Sequence, residues 1–225
     1  MAKKQDQGAR TTLEEVNESL TSAAQRIEDN KKYISWAVIA IAVLAVLAGA
    51  YIFLHNKSLK DAKQQIGKAD IELLQGNEDE ALKDYEKVAN EFSNTPGERA
   101  HLNAAIMLYE KGEYDKALKH LEEFSPKGDL IGPASLSLMG DCYVNLKKYD
   151  KAMAAFEKAI SMSSDNEIYA PAFMVKKATL LHEQKKYADE AAIYQTIKDK
   201  YPLFSQVTGF SIDKYLERAN ALAGK

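Results

Sequence analysis

Residues 136–159, LSLMGDCYVNLKKYDKAMAAFEKA, decide the fold of this chain. Within them the tetrapeptide Tyr-Asp-Lys-Ala occupies Tyr149–Ala152, and the same tetrapeptide stands 35 residues earlier at Tyr114–Ala117. A fixed period of about 20–50 residues is the mark of an array of repeated structural units. The spacing therefore predicts a helical repeat array, a class of protein that presents surface to partners and rarely carries out chemistry.

The same stretch places small residues where two antiparallel helices would meet. Gly140 lies on the first helix and Ala152 on the second, so that the two backbones can approach closely. Tyr143, Tyr149 and Phe156 are predicted to fill the space around that contact. This set, at this spacing, resembles the tetratricopeptide repeat (TPR), a helix–turn–helix unit of about 34 residues.

The resemblance implies an all-α fold in which residues 55–225 form a TPR helical solenoid. It divides this domain into about four repeats and a capping helix, at 62–95, 98–131, 133–166, 171–204 and 211–222. The repeats match unequally: Leu121 replaces an aromatic residue in the second, and Glu190 stands at an alanine position in the last, with Ala191 one step later. Terminal repeats are often atypical because they cap the stack.

Residues 34–54, ISWAVIAIAVLAVLAGAYIFL, are 21 residues without a charge. A helix of that length spans about 30 Å, the thickness of the hydrocarbon core of a bilayer. Trp36 near one end and Phe53 near the other are placed as interfacial aromatic residues. The segment is therefore predicted to be a single N-terminal transmembrane signal-anchor helix.

A cleaved signal peptide is the alternative, with Ala48-Gly49-Ala50 as a cleavage site. However, 33 residues precede the apolar run, and the run continues beyond Ala50, which favours an uncleaved anchor. The numbers of lysines and arginines just before and just after the span are almost equal. The positive-inside rule counts short loops and exempts long domains, and the short side is residues 1–33, with six Lys and Arg. The N-terminus is thus expected in the cytoplasm and the large domain outside.

Residues 1–33 are predicted to form a cytoplasmic amphipathic segment. Apolar side chains recur there at heptad-like spacing: Leu13, Val16, Leu20, Ala23 and Ile27. Fewer than three heptads are too short for a stable isolated coiled coil. The segment could therefore dock a partner or a second copy, or it could fold only on binding or on the membrane surface.

The sequence offers no arrangement for catalysis, metal binding or a cofactor. Four histidines are scattered, at His55, His101, His120 and His182, and neither HExxH nor Cys-x-x-Cys spacing occurs. The single cysteine, Cys142, is predicted to be a small packed residue, and the pairs Glu122-Glu123 and Asp189-Glu190 are predicted to be solvated. Charged residues make up 28% of the chain and the net charge is −3, so nothing in the composition indicates a nucleic-acid footprint. The prediction is a protein that is not an enzyme and binds no nucleic acid.

In TPR proteins the first helix of each repeat lines a groove. Carrying that register onto this sequence assigns ten residues to a protein-binding groove, with Asp70 as a further polar member: Ile66, Leu73, Leu102, Ile106, Tyr109, Asp141, Val144, Val175, Thr179 and His182. Cochaperone-type TPR domains grip a terminal carboxylate with Lys, Arg and Asn, and those residues are absent from the matching places. A mostly apolar groove suits an extended or helical apolar segment. The alternative is that several of these side chains pack against the next helix.

A short cytoplasmic segment, one signal-anchor helix and a TPR domain of about 170 residues form a recognisable layout. It resembles the bacterial ancillary SecYEG translocon subunit, the YfgM-like family. That resemblance implies a single-pass protein of the bacterial inner membrane whose C-terminal domain lies in the periplasm. It also implies protein partners: the SecYEG translocon, periplasmic chaperones and client polypeptides, on which the protein would act as an adaptor or chaperone.

Two alternatives belong to other functional classes. One is a structural scaffold for an envelope assembly complex, and the other is a membrane regulator that uses its N-terminal cytoplasmic helix. The anchor would contact membrane lipid in every case. Ala45 and Gly49 form a small-xxx-small pair in the span, which leaves a homo-oligomer open.

Overall fold

The computed structural model describes residues 6–224, with side chains from residue 16 onward. Every regular element in this range is a helix: α1 (Asp6–Asp29), α2 (Lys31–Leu74), α3 (Glu78–Glu91), α4 (Thr95–Glu110), α5 (Tyr114–Glu123), α6 (Ile131–Asn145), α7 (Tyr149–Met162), α8 (Tyr169–Glu183), α9 (Tyr187–Lys200), α10 (Leu203–Thr208) and α11 (Ile212–Leu222). The predicted all-α class is confirmed. The chain divides into two compact units, Met1–Lys57 and Ser58–Lys225, and the division falls inside α2.

The first unit contains α1 and the apolar part of α2. Its predicted seam is solvent-exposed on α1, with Val16, Leu20 and Ile27 each more than half exposed at 54%, 63% and 59%. The side chain of Leu13 lies outside the described side chains, and residues 1–5 of the predicted segment lie outside the described backbone. Among the described residues, α2 is the one helix long and apolar enough to cross a membrane. Its most apolar window has a mean hydropathy of 2.7 and none of it is buried, so length and composition make it a candidate span.

The second unit is built from four helical hairpins, α2/α3, α4/α5, α6/α7 and α8/α9, followed by α10 and α11. A three-residue turn closes each hairpin, and such short connections make the two helices antiparallel neighbours. These bounds define hairpins and not repeat limits, so the predicted divisions 62–95, 98–131, 133–166, 171–204 and 211–222 stay predictions.

All four turns have the same hydrogen-bonded geometry. In the second, the Glu113 N–H donates to Leu108 O and the Gly112 N–H donates to Tyr109 O, which is a Schellman motif. Such a turn needs one residue of positive φ. The first two hairpins use Gly76 and Gly112, whereas the last two use Lys147 (φ 58°) and Lys185 (φ 59°). A left-handed lysine costs about 1–2 kcal/mol that glycine avoids.

The contact between α6 and α7 explains why the first helix carries a glycine. A Cβ placed on Gly140 would lie 2.5 Å from Cε1 of Phe156, which is 1% exposed. Ala152 is fully buried opposite, and Tyr143 is 9% exposed. Tyr149 does not fill this space as predicted, because it begins α7 beside the turn and is 39% exposed.

Glu190 corrects the prediction that Asp189-Glu190 is a solvated pair, since its side chain is 0% exposed. It takes the position at which the earlier hairpins bury Ala81, Ala117 and Ala152. Its carboxylate accepts a hydrogen bond from His182 Nδ1 at 2.8 Å and another from Arg218 Nη2 of α11 at 3.0 Å. The final helix, α11, thus supplies the charge that makes this burial tolerable.

His101 on α4 and His120 on α5 form a second unusual contact, with their Nδ1 atoms 3.0 Å apart. Burial lowers the pKa of both imidazoles below the ordinary value, and for His120 the neighbouring His101 lowers its pKa further. Carboxylates of Glu98 and Glu123 oppose the shift at His101, and Glu86 Oε1 lies 3.8 Å from His120 Nε2. The folded state therefore favours the neutral pair.

Acidification is expected to destabilise the second hairpin through this pair. Because the folded-state pKa values lie below the unfolded value of about 6.5, the stabilisation is present above that value. It is lost as the pH falls through the folded-state values. Urea unfolding of the double variant His101→Gln/His120→Gln should depend less on pH between about 7 and 5 than unfolding of the unchanged chain. His55→Gln, at an exposed histidine of the first unit, is the control, and equal pH slopes in all three proteins would contradict the assignment.

Candidate functional site

The first helices of the hairpins, α2, α4, α6 and α8, lie side by side along one face. Asp70 on α2 forms an ion pair with Arg99 on α4, and Asp141 on α6 forms one with Lys176 on α8. Between these pairs, Tyr109 of α4 lies beside Asp141, where burial and then that carboxylate raise the pKa of its phenol. These contacts connect four helices from different hairpins into the surface that the sequence predicts as a groove.

The ten predicted groove residues differ widely in exposure. Leu73 and Ile106 are each 40% exposed, and Thr179 is also exposed. Ile66 is only 2% exposed and packs in the core with Tyr85. The other six are partly buried: Leu102, Tyr109, Asp141, Val144, Val175 and His182. The apolar surface that a partner could reach is therefore concentrated on α2 and α4.

Two pockets lie between α2 and α4. The first has a volume of about 460 Å³ and brings the predicted residues Leu73 and Ile106 together, with Met107 and Asn103 beside them. Its rim carries Glu78, Glu110 and Lys111. The structure does not place Val175, Thr179 or His182 in this pocket, since they lie on α8.

The second pocket, of about 430 Å³, includes Leu59, Ile66 and Gly67 together with the Asp70–Arg99 pair. Burial opposes ionisation of Asp70. Hydrogen bonds from Arg99 and from the Tyr85 hydroxyl, at 2.6 Å, outweigh it, and the pKa of Asp70 lies below its ordinary value. Burial, and then the bond to Asp70, raises the pKa of Tyr85 to about 12. This carboxylate is thus ionised and already satisfied by protein donors.

Asp141 is satisfied in a similar way. Burial raises the pKa of its carboxyl group, and the Lys176 ammonium partly offsets the shift. His182, a further predicted groove residue, gives its Nδ1 hydrogen bond to the buried Glu190. Each of these polar groove residues is therefore engaged within the protein.

Sequence reasoning missed the partners Arg99, Lys176 and Arg218. Asp70 and Asp141 occupy the same position of the first helix in two hairpins, and a partly buried carboxylate at such a position requires a cation nearby. The need for a nearby cation was the feature of the sequence that could have indicated these partners. It would have directed attention to basic residues on the following first helix, where Arg99 and Lys176 lie.

The described residues contain no arrangement for metal binding. Among their side chains, no three of His, Cys, Asp or Glu converge to hold an ion. Cys142 is completely buried, and burial raises the pKa of its thiol to about 12. Its reactive thiolate form is therefore suppressed near neutral pH.

Comparison with known families identifies the repeat. The profile described as anaphase-promoting complex, cyclosome, subunit 3 matches residues 74–159, and the profile described as tetratricopeptide repeat matches residues 137–203. These residues form a tetratricopeptide-repeat domain. The predicted repeat type is confirmed, whereas the YfgM-like resemblance stays a prediction. A search of curated proteins finds no significant match.

Solved structures show the same fold for the TPR domain. MamA is 14% identical with a TM-score of 0.57, and the match covers 72% of this chain and 82% of MamA. YrrB, described as a TPR protein with an unusual peptide-binding site, is 13% identical with a TM-score of 0.53, covering 71% of this chain and 76% of YrrB. PilF of Pseudomonas aeruginosa is 18% identical with a TM-score of 0.50, covering 71% and 73%. TPR folds are generally non-catalytic scaffolds for protein interaction.

Proposed function

We propose that the protein is a membrane-anchored TPR adaptor whose groove binds an extended, mainly apolar segment of another polypeptide. The proposal rests on the ion pairs that neutralise the charged side chains inside the groove. Asp70 and Asp141 are neutralised by Arg99 and Lys176, while Leu73 and Ile106 remain exposed. A surface with satisfied charges and free apolar side chains favours an apolar ligand over a charged one.

The pockets support a mode of binding. Apolar side chains of an extended segment would enter the pocket beside Leu73 and Ile106, and the Asn103 amide on its wall offers hydrogen bonds to a peptide backbone. Tyr109 continues this surface toward α6. Specificity would come from the spacing of apolar residues and not from a terminal charge.

Photo-crosslinking in cells tests where partners bind. A photoreactive residue at Ile106 or Tyr109 is expected to capture polypeptides, whereas the same residue at Ala154, on the exposed side of α7, should capture far fewer. Equal capture at all three positions would exclude the groove as the binding surface. The crosslinked segment, synthesised as a peptide, then serves as the ligand for affinity measurements.

Ile106→Ser is expected to weaken binding of that peptide by about 1 kcal/mol, roughly fivefold, because part of an isoleucine is no longer buried. Ile71→Ser is the matched control, since Ile71 is also an exposed isoleucine, at 54%, and lies outside both pockets. Isothermal titration of the two variants compares them directly. A larger loss for Ile71→Ser would place the ligand elsewhere.

The YfgM-like resemblance supports a more specific proposal. The protein would lie in the bacterial inner membrane with its TPR domain in the periplasm, beside the SecYEG translocon. There it would work with periplasmic chaperones on secreted or envelope proteins. Proteins co-purified in mild detergent after crosslinking test this, and recovery of one fixed envelope complex without varied clients would favour a structural scaffold. A reporter fused at the C-terminus tests the orientation.

A regulatory role is the second candidate, and the exposed seam of α1 favours it. Val16, Leu20 and Ile27 present apolar surface on the segment expected in the cytoplasm. A regulator that docks a soluble partner there would lose its function when residues 1–30 are deleted. An adaptor that acts through the groove would retain peptide binding after the same deletion.

A further inference from the structure

The four hairpin turns lie together along one edge of the TPR domain. Lys111 in the second turn bonds Asp79 at the start of α3 at 2.7 Å, and Lys148 in the third turn bonds Asp115 at the start of α5 at 3.3 Å. A pocket of about 600 Å³ is lined by residues of both the third and the fourth turn. Residues 75–80, 111–116, 146–151 and 184–189 therefore form one continuous surface, here named the turn edge.

Charge divides the turn edge into two halves. Residues 75–80 carry three acidic side chains and no basic one, and residues 111–116 carry two acidic and two basic side chains. In the other half, residues 146–151 carry three lysines and one aspartate, and residues 184–189 carry two lysines and one aspartate. Taken together, the first two turns carry a net charge of −3 and form an acidic half, and the last two carry a net charge of +3 and form a basic half.

Ion pairs within the domain do not remove this asymmetry. Within the described side chains, Glu78 and Glu80 in the acidic half form no ion pair. In the basic half, the described side chains of Lys147, Lys151, Lys185 and Lys186 also form no ion pair. Lys147 and Lys186 both line the pocket. Asp150 lies among these lysines but is outnumbered. Both halves thus present charge that an external partner could neutralise.

We propose that two copies of this chain associate through their turn edges, the acidic half of each against the basic half of the other. A rotation of 180° about an axis through the middle of the edge brings each half opposite its complement. Such an isologous contact closes with two copies. A second copy matches both halves at once, whereas a simple acidic or basic ligand would match only one.

The association is expected to be electrostatic and of modest strength. Complementary charge contributes mainly to specificity and association rate. Tyr149, 39% exposed among the lysines of the basic half, adds apolar contact. The turn edge differs from the groove floor of Leu73 and Ile106, so this proposal does not depend on peptide binding.

Crosslinking of the full-length chain in neutral detergent tests the proposal. Isotope-labelled and unlabelled chains are mixed and treated with a zero-length carbodiimide, which joins lysine to a contacting carboxylate. Mixed-isotope crosslinks are expected between Lys185 or Lys186 of the fourth turn and Glu78 or Glu80 of the first turn, which the rotation places opposite one another. Their yield should fall at least fivefold in about 0.5 M salt, because the Debye length then shortens to a few ångströms.

Charge reversal provides the decisive comparison. Lys185→Glu/Lys186→Glu alone should lower the dimer yield at least tenfold, and so should Glu78→Lys/Glu80→Lys alone. The chain carrying all four changes should recover dimer formation, because the first turn is then net positive and the fourth turn, which lies opposite it, is net negative. Lys119→Glu/Lys158→Glu, at exposed lysines away from the turn edge, should leave the yield unchanged, and thermal melting confirms that every variant folds.

Three outcomes would overturn the proposal. They are a monomer at low salt with no mixed-isotope crosslinks, failure of the fourfold variant to recover dimers while it remains folded, and association only after anionic lipid is added. The last would assign the basic half to lipid headgroups. Peptide binding at Ile106 is measured separately, so failure of self-association and failure of the groove proposal are distinguishable.

Discussion

Arg218→Met is expected to lower the free energy of unfolding of the fourth hairpin by about 3 kcal/mol, the upper end of the cost of leaving a buried polar group without its partner, since Arg218 itself is 45% exposed. Glu190 is 0% exposed, and the Arg218 guanidinium 3.0 Å from its carboxylate is the cation from α11 that compensates its burial. Without Arg218, the carboxylate retains only the hydrogen bond from His182. Urea unfolding and hydrogen exchange of α8, α9 and α11 measure the loss.

Lys198→Met is the matched control for this prediction. Lys198 also joins α9 to α11, through an ion pair with Asp213 at 2.7 Å, but both side chains are more than half exposed. Its removal should cost at most about 1 kcal/mol. The double variant Glu190→Ala/Arg218→Met should recover most of the stability, because it restores the alanine found in the other hairpins. A single-variant loss no larger than that of Lys198→Met would contradict the assigned role of the buried carboxylate.

Phe156→Ala is expected to destabilise the third hairpin by about 3–5 kcal/mol, since a fully buried ring leaves a cavity. The effect of Gly140→Ala on stability should change sign when Phe156 is replaced by alanine. In the unchanged protein, Gly140→Ala forces a Cβ to within 2.5 Å of the Phe156 ring and should cost about 1–3 kcal/mol. In the Phe156→Ala background the same change has room, and the better helix propensity of alanine should stabilise by up to about 1 kcal/mol.

A double-mutant cycle in urea measures this coupling. Gly67→Ala is the control, because a Cβ at Gly67 in the interior of α2 would meet nothing within 4 Å. It should stabilise in both backgrounds by the helix-propensity term alone. The same sign for Gly140→Ala in both backgrounds would show that the ring does not determine the need for glycine.

Local periodicity predicts the hairpins because the residues that form them are close in sequence. Gly140 and Phe156 lie on the two helices of one hairpin, and their contact follows from the spacing of small and aromatic positions. The turns depend less on residue identity. Hairpins with Lys147 or Lys185 at the left-handed position fold into the same Schellman turn as those with Gly76 or Gly112, because packing of the two helices offsets the local strain.

Contacts between hairpins were the part that sequence could not supply. The burial of Glu190 depends on α11, and the ionised state of Asp70 depends on Arg99 of the next hairpin. Neither partner stands at a helical spacing of three or four residues from its carboxylate, so helical periodicity contains no sign of the pairing. The sequence therefore predicts which helix face forms the groove, but not which of its side chains remain available to a ligand.

The position of Arg218 also orders events as the chain emerges from N-terminus to C-terminus. Glu190 precedes its partner by 28 residues, so it emerges well before α11 exists. Until then, the Glu190 carboxylate has the His182 hydrogen bond but not the Arg218 cation. The first three hairpins have alanine at this position and can close as they appear. The last hairpin is therefore expected to close stably only after α11 has been made and Arg218 reaches the carboxylate.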